Sequence, residues 1–337
     1  MVTWSYDRTY QLTRERRGGG NASDTTYVYD ATGNRTVMIQ GGARTTSTYD
    51  AANQLTSSQD AAGATSYAYD GNGNPLRSVA PGNQRTTNIW DGENRLTRVV
   101  LPTGLVNTFS YNGDGQRAQK EDSAGIVKHV WDRQNILLDT NSGNGVVAAY
   151  TLAPATYGEL VSQRRGTTTS FHLFDALGSA RQLTNTAGAV TDSYLYDAWG
   201  NAIATAGSTV NPFRFVGRPG YYFDVDRRIY YIRMRYYDAV NSRFVSVFTV
   251  NNVNNIDIYS SIKNKYSYSN NNPQNLISIN AYAFKPTFDD LKDCLSMIFT
   301  VTGCITFAGG ICTACLAPCA IVAPTAVTPA VPLSLGL

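Results

Sequence analysis

The chain has 337 residues, of which 16% are charged, and its formal net charge is +3. Such a small and dispersed positive excess disfavours a nucleic-acid-binding protein. Because Tyr (22) and Gly (29) are abundant, the composition favours strands and tight turns over helices.

The first ten residues lack the basic start and apolar run of a signal peptide. Residues 6–7 (Tyr-Asp) already belong to a repeat, so we expect the chain to be a fragment of a longer one. An aromatic residue followed by Asp recurs through the first 200 residues, and Tyr111-Asn112 fills the gap between Trp90 and Trp131. The aromatic members are Tyr6, Tyr29, Tyr49, Tyr69, Trp90, Trp131, Phe174 and Tyr196.

Between Tyr29 and Trp131 the doublets recur about every 20 residues, a spacing typical of a repeat array. A Gly- or Asn-containing turn and a polar–apolar strand follow each doublet, which predicts a β-hairpin. Asp70, for example, is expected to accept a backbone N–H two residues on. Because a lone hairpin is marginally stable, the units should stack edge to edge into one sheet. Residues 133–165 are predicted to form irregular strands, and the regular repeat pattern returns at 170–192.

The doublets resemble the YD/RHS repeat family. Residues 174–201 and 211–244 are similar to the RHS repeat-associated core domain, with its LGS, YDxWGN and RYYD motifs. Three residues, 221–223 (Tyr-Tyr-Phe), lengthen the link after Gly217. The resemblance implies a hollow β-cocoon plugged at one end by the core domain, followed by a variable C-terminal segment that is often a toxin. The few repeats here favour a curved or partly closed sheet, a partial cocoon.

The core domain of that family can resemble a self-cleaving aspartyl protease, in which two carboxylates share a proton and activate water. Asp238 is kept and is the candidate catalytic residue. Phe248 and Ser278 stand where the family has Asp. The sequence therefore predicts no autoproteolysis and no enzyme activity. The simpler interpretation of Asp238 is a turn cap.

Exposed aromatic rings on a repeating sheet could stack on sugars. Trp90, Trp131 and Tyr69 are therefore candidate glycan-binding residues. The competing interpretation is that these rings line one wall and hold adjacent hairpins together.

Only two histidines are present, His129 and His172. Both lie in strand-like stretches and should be hydrogen-bonded polar positions, so neither a His-based triad nor a zinc enzyme is predicted. The Gly-rich turns lack the context of phosphate loops. The sequence thus predicts no metal and no cofactor.

The C-terminal segment has no charged residue from Cys294 to Leu337, and it contains all five cysteines. Residues 288–295 could begin a short amphipathic helix, and the rest is apolar but interrupted by Gly and Pro. No uninterrupted apolar piece reaches the roughly 20 residues of a membrane span. Three interpretations stay open: a membrane-active peptide toxin, a degenerate end, and a disulfide- or metal-bound mini-domain.

The sequence thus predicts an all-β protein with an irregular or short-helical C-terminal tail. Its parts would be a YD/RHS repeat array (1–165), an RHS core domain (166–275) and a variable hydrophobic Cys-rich segment (276–337). The predicted function is a secreted or cell-surface scaffold of a polymorphic toxin, which presents or shields its own C-terminal segment. The alternatives are a self-cleaving core that releases the tail and a carbohydrate-binding module. Cell-surface glycans, or a membrane through the tail, are the further candidate partners.

Overall fold

The computed structural model describes residues 1–155, 157–247 and 264–275. All of them belong to one compact unit, Met1–Ala283. The predicted C-terminal tail and its cysteines lie outside the described residues. Within the described part, helix is limited to short 3-10 turns such as Pro81–Asn83 and Ser269–Asn271. The predicted all-β fold is confirmed.

The first 206 residues form one large sheet of 20 strands, each antiparallel to the strand next to it in sequence. The strands are β1 Val2–Tyr6, β2 Leu12–Arg17, β3 Ser23–Tyr29, β4 Arg35–Gln40, β5 Ala43–Tyr49, β6 Leu55–Asp60, β7 Gly63–Tyr69, β8 Pro75–Ala80, β9 Gln84–Trp90, β10 Leu96–Val100, β11 Val106–Tyr111, β12 Arg117–Asp122, β13 Gly125–Asp132, β14 Asn135–Thr140, β15 Val146–Leu152, β16 Leu160–Arg165, β17 Thr168–Phe174, β18 Ala180–Thr184, β19 Val190–Tyr196 and β20 Ala202–Ala206. The predicted edge-to-edge stacking of hairpins is confirmed. Because β16 pairs with β17, this sheet continues across residue 165. The division into domains stays a prediction.

The prediction of irregular strands at 133–165 was wrong. Strands β14, β15 and β16 pair in the same antiparallel ladder as the others. The turn before β15 has Asn141 in the place of the repeat Asp. The Asn141 side-chain oxygen accepts from the backbone N–H of Gly143 (3.0 Å) and Gly145 (2.9 Å). The hairpin geometry therefore persists although the aromatic-Asp doublet is missing.

One turn geometry recurs along the sheet. Asp70 shows it: the Oδ1 atom accepts from the backbone N–H of Asn72 (2.9 Å) and Asn74 (2.8 Å). Within the described residues, the same pair of bonds, to the second and fourth residues on, forms at ten turns. Their first residues are Asp7, Asp30, Asp50, Asp70, Asp91, Asn112, Asn141, Asp175, Asn185 and Asp197. The predicted Asx-type turn is confirmed.

Four short strands form a second sheet: β21 Tyr222–Asp224, β22 Ile229–Ile232, β23 Arg235–Asp238 and β24 Arg243–Phe244. All four residues of β22 are buried, so both faces of this inner sheet are covered. Tyr230 and Ile232 pack into one apolar cluster, and Ile229 and Tyr231 into another. This alternation is the two-residue period of a strand.

The large sheet supplies the cover on both faces of the inner sheet. One cluster includes Leu12 and Tyr27 from the first hairpins and Tyr194 from β19. The other includes Phe109 and Tyr150 from the middle strands. The beginning and end of the large sheet therefore approach each other on one side of the inner sheet, and the middle strands lie on the other side. The predicted curved sheet is confirmed.

Candidate functional site

Asp238, the candidate catalytic residue, ends β23 and caps the turn that follows. Its Oδ1 atom accepts from the backbone N–H of Val240 (2.9 Å) and Asn241 (3.2 Å), and its Oδ2 atom accepts from Asn241 Nδ2 (2.7 Å). Both carboxylate oxygens are thus used within three residues of the chain. Phe248 and Ser278 lie outside the described residues. The absence of enzyme activity stays a prediction.

Several aromatic residues of the repeats bind the hairpin before them. In the pairs given next, a phenol or indole donates to the backbone carbonyl of the residue that follows the previous turn, over 2.7–2.9 Å. The donor–acceptor pairs are Tyr29–Leu12, Tyr49–Arg35, Trp90–Pro75, Tyr111–Leu96 and Trp131–Arg117. Tyr69 bonds in the same way to the Leu55 backbone. These bonds link successive repeats along the side of the sheet where the turns lie, and we call them the aromatic ladder.

The three candidate glycan-binding residues all belong to this ladder. Trp90 and Trp131 are half-buried and pack against the second apolar cluster. Tyr69 packs edge-on against Tyr266, with ring centroids 6.3 Å apart, and burial raises its pKa to about 12. Each ring therefore has contacts within the chain. Glycan binding stays a prediction.

Residues 264–275, which we call the anchor segment, were not identified as functional from the sequence. The segment crosses the turns of three separate hairpins. Its side chains donate from Asn264 Nδ2 to Asn34 Oδ1 (2.7 Å), from Tyr266 OH to the Gly73 carbonyl (2.7 Å), from Asn271 Nδ2 to the Gly33 carbonyl (2.7 Å) and from Gln274 Nε2 to the Ala198 carbonyl (3.0 Å). The available signal was the density of Asn and Tyr in this stretch.

Turn glycines make room for the anchor segment. Gly73 has φ +83°, and an added Cβ would lie 2.7 Å from the Tyr266 hydroxyl oxygen. Gly33 has φ +84°, and its Cβ would lie 3.2 Å from Asn271 Nδ2. At the equivalent turn position the β5–β6 hairpin has Asn53, also with a positive φ. The turn alone thus accepts Asn, and at Gly73 the close approach of the anchor segment favours Gly.

The centre of the anchor segment belongs to the core. Tyr268 is fully buried and stacks on Tyr237, with ring centroids 4.0 Å apart. Its hydroxyl group lies 3.2 Å from that of Tyr221. Burial raises the pKa of Tyr268 well above its usual value, so its hydroxyl stays protonated. The Phe244 N–H donates to the Tyr266 carbonyl (2.8 Å), which joins the segment to the inner sheet.

The stretch around Gly217 docks on the large sheet and leads into the inner sheet. The Arg218 N–H donates to the Gly178 carbonyl (2.9 Å), and the Val216 N–H donates to Ser179 Oγ (3.0 Å). Farther along, Tyr221 packs into the first apolar cluster and Tyr222 into the second. These two residues therefore supply buried side chains to both faces, and the lengthening of the link stays a prediction.

A buried ion pair also joins the two sheets. Arg117 Nη1 on β12 lies 2.6 Å from Asp224 Oδ2 on β21, and the two side chains are 0% and 5% exposed. Burial lowers the pKa of Arg117, but the charge and hydrogen bond of Asp224, together with Tyr236 and Tyr231, outweigh burial and raise it well above the usual value. The guanidinium also lies 4.2 Å from the centroid of Tyr231. The arrangement is suited to holding the inner sheet in place.

Neither a metal centre nor a membrane helix is found in the described part of the chain. No three His, Cys, Asp or Glu side chains there are grouped as metal ligands. Likewise, no helix among these residues has the length and apolar character needed to cross a bilayer.

The RHS repeat family model matches residues 49–85, which run from the end of β5 to the start of β9. The tRNA3(Ser)-specific nuclease WapA of Bacillus spizizenii is 30% identical over 279 residues, or 80% of this chain. The chain is an RHS/YD-repeat protein. Its turns and aromatic ladder are therefore the structure of RHS repeats in this chain.

Two further proteins are similar to parts of this chain. The double-stranded DNA deaminase toxin A of Burkholderia cenocepacia is 26% identical over 255 residues, 65% of this chain. Among solved structures, the TcdB2-TccC3 complex has 16% identity, covers 83% of this chain and 18% of that chain, and gives a TM-score of 0.44. The chain spans only 11% of the WapA relative and 17% of the deaminase toxin.

Proposed function

We propose that this chain is the scaffold part of a larger secreted or cell-surface polymorphic toxin, and that it shields its own C-terminal segment. One observation carries the proposal. The anchor segment, which directly precedes residues 276–337, is bound by four side-chain hydrogen bonds to the turns of three hairpins. Two relatives are named a tRNA-specific nuclease and a double-stranded DNA deaminase toxin, which supports a toxin context.

The anchor segment gives the following chain a fixed starting point. Each of its hydrogen bonds contributes about 1 kcal/mol, and burial of Tyr268 adds a hydrophobic contribution of a few kcal/mol. Such an attachment opposes the conformational entropy that a free segment would gain. In this proposal the RHS part is not itself an enzyme, and its partner is its own C-terminal segment.

The cysteines provide a direct test, because all five lie between Cys294 and Cys319, within the segment that the proposal describes as shielded. Reduced full-length chain is reacted with a maleimide, and the rate is followed by intact mass at pH 7. Shielding predicts labelling at least about tenfold slower than in denaturant, since a thiol reacts only when it is accessible.

Variants of the anchor segment make the test specific. Asn271→Ala combined with Tyr266→Phe removes two of its bonds and should accelerate labelling. Asn72→Ala is the matched control, because Asn72 is an exposed turn residue. Labelling of the intact chain at the denatured rate would exclude shielding.

A further inference from the structure

His129, on β13, is part of a buried contact with the inner sheet. Its Nδ1 atom lies 2.7 Å from Asp139 Oδ1 on β14, and the side chains are 0% and 2% exposed. The other oxygen of Asp139 accepts from the hydroxyl groups of Tyr150 (2.6 Å) and Tyr222 (3.2 Å). Tyr222 belongs to β21, whereas the other three residues belong to the large sheet. One carboxylate thus connects three neighbouring strands to the inner sheet.

His172, on β17, makes a second contact of this kind. Its Nε2 atom lies 3.2 Å from Asn211 Oδ1, in the link between β20 and β21. Because that oxygen also accepts from the Phe213 N–H (2.9 Å), it acts as the acceptor and His172 donates. His129 and His172 are the only histidines of the chain. Both therefore contact the stretch formed by residues 211–224, through Asn211 or Tyr222.

The surroundings of His129 disfavour a second proton on its ring. In the described part of the chain, its buried Nε2 atom has no hydrogen-bond partner, so an added N–H would be unsatisfied. Cationic groups are also close, and the positive charges of Arg117 and Lys120 both act against protonation. The titratable and charged groups around the ring are Arg117 and Lys120 on β12, Asp139 on β14, Tyr150 on β15, Arg165 on β16, and Tyr222 and Asp224 on β21.

We infer that His129 and His172 form an acid-sensitive latch, which holds residues 211–224 against β13–β17 while both rings are neutral and releases them when the rings take up protons. The latch concerns the attachment of this link and does not require the C-terminal segment to be shielded.

The direction of the pH effect follows from the pKa values. Burial lowers the pKa of His129, although Asp139 opposes it, and burial lowers the pKa of His172 to about 4, although Asn211 opposes it. In a released link both rings would titrate near 6.5. The released state therefore binds protons more readily, so the latch is fully stable above about pH 6.5 and weakens as the pH falls toward 4.

The neighbouring carboxylate titrates at lower pH. Burial would raise the pKa of Asp139, but His129 and Tyr150 outweigh burial and lower it. Its contribution is therefore lost only below about pH 3.9, the usual value for Asp. Among the groups of the latch, only the two histidines are therefore expected to change protonation between pH 6.5 and 4.5.

Hydrogen–deuterium exchange of the full chain tests the latch. Protection of peptides covering residues 211–224 is measured at pH 7.5, 6.5, 5.5 and 4.5, corrected for the intrinsic exchange rate. We expect constant protection above pH 6.5 and, below it, a loss approaching tenfold per pH unit for each histidine. Constant wild-type protection down to pH 4.5 would overturn the inference without any variant.

Two variants separate the latch from a general loss of structure. His129→Gln combined with His172→Gln keeps N–H donors but cannot titrate, so its protection should not vary between pH 6.5 and 4.5. Asn107→Ala removes a different bond between the sheets, from Asn107 Nδ2 to Asp226 Oδ2 (2.8 Å). It should lower protection equally at each pH and keep the wild-type slope. A double Gln variant with the wild-type slope would also contradict the latch.

Discussion

Arg117 and Asp224 are 107 residues apart in sequence, and their side chains meet 2.6 Å apart between the two sheets. Removing one partner of a buried pair leaves an uncompensated charge, which typically costs 3–5 kcal/mol. We therefore expect Asp224→Asn to lower the free energy of unfolding by about 3 kcal/mol. Guanidinium unfolding measures the change.

The double variant Arg117→Met with Asp224→Leu is the control for this pair. It removes both charges, so it should be less destabilised than Asp224→Asn alone. If the free energy of unfolding of Asp224→Asn instead lies within about 0.5 kcal/mol of the wild-type value, as for typical surface substitutions, the pair does not hold the inner sheet.

If the aromatic ladder stabilises the sheet, removing one of its hydrogen-bond donors should lower the free energy of unfolding. Trp131→Phe keeps an aromatic ring but removes the indole N–H that bonds the Arg117 carbonyl. We expect a loss of about 1 kcal/mol in the free energy of unfolding. Trp4→Phe is the matched control, because Trp4 lies on β1 and its side chain is 40% exposed. Equal effects of the two changes would argue against the ladder.

The close approach at Gly73 predicts a penalty beyond backbone strain. Gly73→Ala places a Cβ 2.7 Å from the Tyr266 hydroxyl oxygen, whereas Gly82→Ala meets no atom within 4 Å. Both glycines have positive φ, so both substitutions cost about 1 kcal/mol of backbone strain. In thermal unfolding, Gly73→Ala should therefore lower the melting temperature more than Gly82→Ala does.

Tyr266→Phe provides the coupling test, since it removes the oxygen that the new Cβ would meet. In that background the two alanine substitutions should differ less. An undiminished difference would assign the Gly73 effect to another contact.

Asp238 should affect stability and not covalent integrity. Because its carboxylate caps a turn, Asp238→Ala should lower the free energy of unfolding by about 1 kcal/mol. Asp238→Asn keeps an acceptor oxygen and should cost less. Intact mass of wild type and both variants should stay unchanged during incubation. A fragment that forms in wild type and disappears in Asp238→Asn would establish the self-cleaving alternative.

The hairpins were predictable because their signals are local. An Asp that bonds two and four residues ahead, and an aromatic residue beside it, appear at fixed spacing in the sequence. The strands around Asn141 were wrongly predicted to be irregular, because this residue forms the same turn without the doublet. For β22 the run of four apolar or aromatic residues did indicate strand, and complete burial accounts for the lack of a polar face.

The candidate site was less predictable because it depends on the curvature of the large sheet. The spacing of the aromatic-Asp doublets does not show which hairpins face Tyr231, and the partner of Arg117 lies far along the chain. The sequence of the anchor segment did not indicate what it contacts, since Asn and Tyr serve equally in ordinary loops. Its bonds to Gly33 and Gly73 required the folded arrangement of three hairpins.

We expect the anchor segment to be an integral part of the RHS scaffold. Hydrogen–deuterium exchange of the full chain at pH 7.5 tests it most directly, by comparing peptides from residues 264–275 with peptides from β22. We predict comparable protection, because the N–H groups of Asn271 and Asn272 are bonded within the segment and Tyr268 is fully buried. Exchange of the anchor segment at the rate of an unstructured peptide, while β22 stays protected, would contradict the account.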